Sequence, residues 1–307
     1  VLVFWILFNL FVLAMLALDL GVLNRGARRV GLRQALAWSG VWIALAVVFA
    51  FLVLMRFGRP QALQFATGYV IELSLSVDNL FLFLLIFRYF NVPEEHQHKV
   101  LFAGILGALV IRGVFIVTGL SLLLRFHWII YLFGVLLVYS GVKLLRHGAQ
   151  EIQPEKNIIL RLFRRVFPVT KEYVGGNFLT RRDSDNRRLY ATPLLVALLM
   201  VETTDILFAV DSIPAVLAIT LNPFIVYTSN VFAILGLRSL YFALAGMMDR
   251  FRYLHYGLSA VLIFIGLKML ASHYASIPTE WTLTTVLVIL GASILASLLH
   301  RQGKPVK

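Results

Sequence analysis

Apolar runs of about twenty residues recur along the whole of this 307-residue chain. Each is long enough to cross a hydrocarbon core of about 30 Å. Backbone at that depth must satisfy its own N–H and C=O groups, so segments of this length are expected to be helices. Composition agrees. The chain is 60% hydrophobic and 14% charged, whereas soluble domains are nearer half apolar and about a quarter charged. The expected fold is an all-α polytopic membrane protein. Nine transmembrane helices are expected, at about 1–23, 32–55, 62–87, 99–123, 127–146, 191–220, 224–247, 253–272 and 280–300. Val1–Leu23 has neither a basic n-region nor a small-residue cleavage site, so it reads as a span and not a cleaved signal. No cysteine is present, which excludes disulfides, thiolate metal ligands and thiol redox chemistry.

The formal net charge of +13 could suggest nucleic acid, but its distribution points to membrane topology. Most Lys and Arg fall after spans 1, 3, 5 and 7 and in the C-terminal tail. The opposite side carries Arg56, Arg59 and Arg125. The expected placement is a bacterial-type inner (plasma) membrane, with the N-terminus outside and the C-terminus cytoplasmic. The lipid bilayer is the expected surroundings and nucleic acid is not an expected partner. Residues 147–190 form one long basic cytoplasmic loop. Within it, NIILRLFRRVF at 157–167 puts Ile158, Ile159, Leu162, Phe163 and Val166 on one helical face, a pattern that suits a helix lying on the membrane surface. NFLTRRDSDNRRLY places a polar turn between two short β-prone runs, as a small hairpin would.

The chain also repeats itself. LSVDNL at 75–80 lies against FAVDSI at 208–213, so that Glu72 falls on Asp205, Asp78 on Asp211 and Asn79 on Ser212. GALVIRGVF at 107–115 lies against AILGLRSLY at 233–241, with Arg112 on Arg238. GVKLL at 141–145 lies against GLKML at 266–270, with Lys143 on Lys268. A unit of three spans is odd, so its second copy enters the membrane from the other side. Such inverted repeats are a recurring architecture of secondary transporters, with the site near the midplane. The expected division is 1–61 for two peripheral helices, 62–146 for the first repeat, 147–190 for the loop, 191–272 for the second repeat, and 273–307 for the final helix and tail.

Asp19, Glu72, Asp78, Glu202, Asp205 and Asp211 sit inside spans. An acid at the bilayer centre costs roughly 2.5–3.5 kcal/mol on insertion scales, and such acids mark ion pathways by default. The bland alternative is a set of buried ion pairs with Arg112 and Arg238. Six acids against two mid-span arginines would leave four uncompensated, for a divalent cation or protons to neutralise. Asp78 and Asp211 each follow the first acid of their motif by six residues, about 9 Å and about 240° along a continuous helix. Either the helices unwind locally or the acids form a ladder. Pro214 cannot donate to the carbonyl of Val210, so a helix break is expected there. Carboxylates, the Asn79 amide and the Ser212 hydroxyl are oxygen donors, which suit Mg²⁺, Ca²⁺ or Mn²⁺. Asn230 is a further possible ligand, with a helix-packing amide as the first reading. Glu202 could be a proton site or a ligand, and Asp19 a gate or an interfacial acid. Arg112 and Arg238 are expected to balance charge or gate. No catalytic triad, Walker loop or dinucleotide fingerprint is present, so the chain is not expected to be an enzyme.

At these residues the chain resembles the TerC/Alx family of integral membrane proteins, through ELSLSVDNLFLF at 72–83, ETTDILFAVDSIPAV at 202–216, SNVFAILGLRSLYF at 229–242, LYATP at 189–193 and ALDLGV at 17–22. It is most similar to the Alx-type members. The resemblance implies a relation to LysE-type exporters built from two three-helix repeats. It implies Glu72, Asp78, Asn79, Glu202, Asp205, Asp211 and Ser212 at the acidic motif positions, Mn²⁺ as the transported ion and export as the direction. Protons are the expected counter-ion, because clustered acids share protons. Ca²⁺/H⁺ or Na⁺/H⁺ exchange stays open, as does a membrane scaffold that delivers metal to exported proteins beside the secretion machinery. Oligomeric state and the choice between one metal site and two also stay open. Tellurite is disfavoured, because an acid-lined path repels anions.

Overall fold

The computed structural model describes residues 2–23, 31–147, 157–170, 172–181, 189–245, 253–274 and 277–299. They fold as α1 (Leu2–Leu23), α2 (Leu32–Phe57), α3 (Arg59–Tyr89), α4 (Glu94–Arg125), α5 (Ile129–His147), α6 (Ile158–Val166), β1 (Leu179–Arg181), β2 (Leu189–Ala191), α7 (Pro193–Leu217), α8 (Pro223–Leu235), α9 (Leu237–Ala245), α10 (Leu254–Leu270) and α11 (Thr279–Leu299). Among them α2, α3, α4, α5, α7 and α11 are long and apolar enough to cross a membrane. The pair α8 and α9, bent by 40° at Gly236, would make a seventh span, and α1 and α10 contain shorter apolar stretches. The protein is an all-α polytopic membrane protein with one small hairpin.

Local sequence sets several of these boundaries. Proline stands in the first turn of α3, α7 and α8, where its missing N–H has no helical partner to lose. Asn222 caps α8, its side chain accepting from Phe224 N at 3.0 Å. Gly58 alone separates α2 from α3, with φ +91°, a conformation that favours glycine.

Burial sorts the helices. α2 buries the stripe Ala35, Ser39, Trp42, Ala46 and Val53, while Val47, Val48, Phe51 and Leu52 face outward. That one-sided pattern belongs to a peripheral helix in lipid. α3 and α8 bury residues all round and form the centre. Lipid is as apolar as leucine, so the helices associate through close packing, which small residues permit. The seam between α5 and α10 shows this reciprocally. A Cβ on Gly141 would lie 2.9 Å from the Ser259 carbonyl oxygen, and one on Gly266 would lie 2.8 Å from that of Gly134.

The loop after α5 is docked where it is described. β1 pairs antiparallel with β2, Thr180 opposite Tyr190, as the sequence led us to expect. Tyr173 Oη donates to the Phe90 carbonyl at 2.6 Å at the end of α3, and burial raises its phenol above its ordinary value. Asn157 caps α6 by accepting from Leu160 N at 3.0 Å. On α6, Leu160 points inward and is buried, while Ile159, Leu162 and Val166 of the apolar face are exposed. The inward side of the short helix packs on α7.

Candidate functional site

The polar centre lies where α3, α4, α7 and α8 meet. Glu72 on α3 is fully enclosed, Arg112 on α4 is 1% exposed, and Asp205 on α7 is 2% exposed. Arg112 Nη1 donates to Glu72 Oε2 and, at 2.8 Å, to Asn230 Oδ1. Asn230 Nδ2 donates to Glu72 Oε1 at 2.9 Å, which closes a triangle. Both carboxylate oxygens of Glu72 are thereby satisfied. Arg112 Nη2 stands 3.7 Å from Asp205 Oδ1. Removing two acids and a guanidinium from water is costly, and mutual pairing is what makes such burial tolerable.

The satisfaction stops there. Asp205 Oδ2, Glu202 Oε2, Asn79 Nδ2, Ser76 Oγ, Ser212 Oγ and Arg112 Nε and Nη2 are buried with no hydrogen-bond partner among the described residues. Groups of this kind are rare in folded proteins and call for water, protons or ions. Glu202, half-buried one turn before Asp205, fills the space beside Gly107 on α4. A Cβ there would collide with its carboxylate.

Asp211 sits apart from this centre. Ser140 Oγ on α5 donates to its Oδ1 at 2.7 Å, and Lys143 acts on it electrostatically. Asp78 is half-buried on α3, six residues beyond Glu72. The acids therefore form a ladder. α3 and α7 are continuous, so their acids fall on different faces as 3.6 residues per turn requires. The expected break at Pro214 does not occur. α7 runs through it to Leu217, and Ala218 N donates to the Pro214 carbonyl at 2.9 Å. Proline one turn from a helix end loses one bond without redirecting the chain. The observed bend is instead at Gly236, between α8 and α9.

Arg238, on α9 just beyond that bend, lines a cavity with His98 and Lys99 at the start of α4. The side chain of Asp19, in α1, lies outside the described residues. Among the described residues no three carboxylate or imidazole groups converge as metal ligands. Of the sequence-derived candidates, the structure brings Glu72, Arg112 and Asp205 together and leaves Asp78, Asp211 and Arg238 elsewhere. It also brings in Asn230, already singled out in the sequence, as the amide that closes the triangle. The residue it adds is Ser140, which no signal marked, because serine is common at membrane helix contacts.

Comparison with known proteins supports the assignment of the chain as a membrane protein. The profile of the "Integral membrane protein TerC family" matches residues 57–304. An uncharacterized membrane protein of Myxococcus xanthus is 51% identical over 301 residues, covering 98% of this chain and 93% of its own. A protein of Escherichia coli (strain K12), named "Putative membrane-bound redox modulator Alx", is 45% identical over 295 residues, covering 93% and 91%. An uncharacterized membrane protein of Rickettsia bellii is 37% identical over 297 residues, covering 97% of each chain. No solved structure gives a significant match. The chain belongs to the integral membrane protein TerC family.

Proposed function

We propose that this protein is a secondary-active exporter of a divalent cation, with Mn²⁺ the favoured substrate and protons the counter-ion. The observation that carries the reading is the ladder of carboxylates in the bundle. Glu72 and Asp205 are enclosed, and Asp78, Glu202 and Asp211 are half-buried along α3 and α7. Intramembrane acids facing a bundle interior mark ion paths by default. Arg112 holds Glu72 and stands beside Asp205, as a fixed cation would. A transported cation would compete with it for Asp205 Oδ2 and Glu202 Oε2, both without hydrogen-bond partners. Hard divalent cations keep part of their water, so two protein oxygens at a time are enough for passage.

In this reading α3–α5 and α7–α10 form an inverted repeat. Helix pairing supports it, since α4 packs on α7 and α3 on α8. The reciprocal contacts of Gly141 with Ser259 and Gly266 with Gly134 support it as well. The N-terminus would lie outside and the basic loop in the cytoplasm of a bacterial-type inner membrane. The name of the Escherichia coli relative speaks of redox modulation. The sequence has no cysteine and so no thiol route to that effect, whereas moving a redox-active metal across the membrane would produce it without a thiol.

The test is Mn²⁺ flux in proteoliposomes for wild type, Asp78→Asn and Asp211→Asn, with Ca²⁺, Mg²⁺ and Na⁺ as competitors. Loss of flux in folded variants is expected. Normal flux in both would remove the ladder from the pathway. Flux that ignores an imposed pH gradient would remove proton coupling. The closed triangle of Glu72, Arg112 and Asn230 favours a second reading, a polar framework that holds a metal-delivery scaffold together. Under that reading, deleting residues 150–188 abolishes function and spares metal binding.

A further inference from the structure

A cavity of about 270 Å³ opens at the first turns of α4, and no acid of the carboxylate ladder lines it. His98, Lys99, Phe102, Ala103 and Leu106 line it from α4, Arg238 from α9, and Phe178 from the segment leading into β1. Two permanent cations and an imidazole thus meet a wall that is otherwise apolar. The cavity does not end at the cations. Leu106 is 42% exposed and begins a stripe on α4 that continues through Val110, Val114 and Val117, all exposed. Those positions recur every three or four residues, so they form one face, and in a membrane-spanning helix that face meets acyl chains.

We propose that this cavity binds the phosphate headgroup of an anionic phospholipid, with the acyl chains lying along the Leu106–Val117 stripe. A free phosphate would use the cations and have no need of the stripe. An uncharged lipid would use the stripe and have no need of the cations. Basic pockets between membrane helices are known headgroup sites, and each Lys or Arg near the surface contributes attraction for anionic lipid. The site also touches the loop. Lys99 Nζ donates to the Gly176 carbonyl at 3.3 Å, and Phe178 is part of the wall. A bound headgroup would therefore join the start of α4, the bent α8–α9 span and the docked loop.

The experiment uses the full chain purified in detergent, titrated with phosphatidylglycerol, phosphatidylcholine or inorganic phosphate, and read by thermal unfolding and by native mass spectrometry. Phosphatidylglycerol is expected to bind and raise the melting temperature, and its affinity should fall as salt rises. Phosphatidylcholine and inorganic phosphate are expected to do neither. Lys99→Gln and Arg238→Gln should each weaken phosphatidylglycerol binding about fivefold, and Arg181→Gln on β1 should leave it unchanged. Equal binding of phosphatidylcholine would overturn the proposal. So would inorganic phosphate displacing the lipid, since the site would then hold a free anion. If the charge variants fail to fold, Leu106→Glu on the exposed rim carries the same test. It should abolish phosphatidylglycerol binding, and unchanged binding would overturn the assignment.

Discussion

Two regions treat the internal sequence repeat in opposite ways. At the α5–α10 seam, matching positions make matching contacts. Gly141 lies against the backbone of Ser259, and Gly266 against that of Gly134. In the arginine-bearing spans the two matching residues stand in different surroundings. Arg112 sits on an unbroken α4, locked between Glu72, Asn230 and Asp205. Arg238 comes just after a 40° bend and faces a cavity beside His98 and Lys99. Backbone packing tolerates little drift, because a single methyl group would collide. A long charged side chain can be redirected by one bend. The lesson is that repeated sequence carries over the scaffold more strictly than it carries over charge placement.

The largest effect should come from breaking the locked arginine. Arg112→Gln leaves Glu72 buried without its cation, and removing one partner of a buried pair costs about 3–5 kcal/mol. Arg238, also buried at 6% exposure but lining a cavity beside Lys99 and His98, should lose less when changed to Gln, because removing it also relieves its repulsion with Lys99. Thermal unfolding in detergent would compare them, and equal losses would erase the contrast between the two arginines. Adding Glu72→Gln to Arg112→Gln should recover a large part of the loss, because the uncompensated charge goes with it. The next effect belongs to the seam. Gly141→Val and Gly266→Val each force side-chain atoms into backbone, at about 1–3 kcal/mol. They should match each other within about 0.5 kcal/mol. Unequal costs would show that the seam is less reciprocal than its contacts.

Smaller still is Ser140→Ala. It removes a hydroxyl that donates to Asp211, a hydrogen bond to a charged group contributing about 1.5–3 kcal/mol when buried. Asp211 is only half-buried and also feels Lys143, so about 1 kcal/mol is expected. Its sharper readout is transport. If Asp211 lies on the path, Ser140→Ala should change the apparent Mn²⁺ affinity of flux, and Ser140→Thr, which keeps the hydroxyl, should restore it.

The helical membrane class and the buried acids were legible because each rests on a local pattern, namely run length and charge in an apolar setting. The hairpin between Leu179 and Ala191 was legible for the same reason. What was not legible depends on neighbours from distant sequence. Asn230 joins Glu72 across 158 positions, and Ser140 reaches Asp211 across 71. Pro214 looked like the breaker because proline removes a hydrogen bond, yet it falls one turn from a helix end, where that loss changes nothing. The bend fell at Gly236, in a run with no proline, where Trp42 of α2 packs against the backbone.

That last point has its own test, with the smallest expected effect. Gly236 has φ −77°, an ordinary helical value, so its bend does not need glycine's freedom. A Cβ there would meet Trp42 Cβ at 3.6 Å, which is normal contact. If tertiary packing sets the bend, Gly236→Ala should be tolerated and even stabilise, by about 0.4–1 kcal/mol, through a less flexible unfolded chain. Arg238 would then stay beside Lys99, and phosphatidylglycerol binding would be unchanged. If glycine itself encodes the bend, alanine should straighten α8 into α9 and carry Arg238 off the cavity wall, with loss of the lipid-dependent rise in melting temperature. The second outcome would make the difference between Arg112 and Arg238 a one-residue property of the sequence. The first would make it a property of the fold, set by the α2 helix that packs against the α8–α9 span at Gly236.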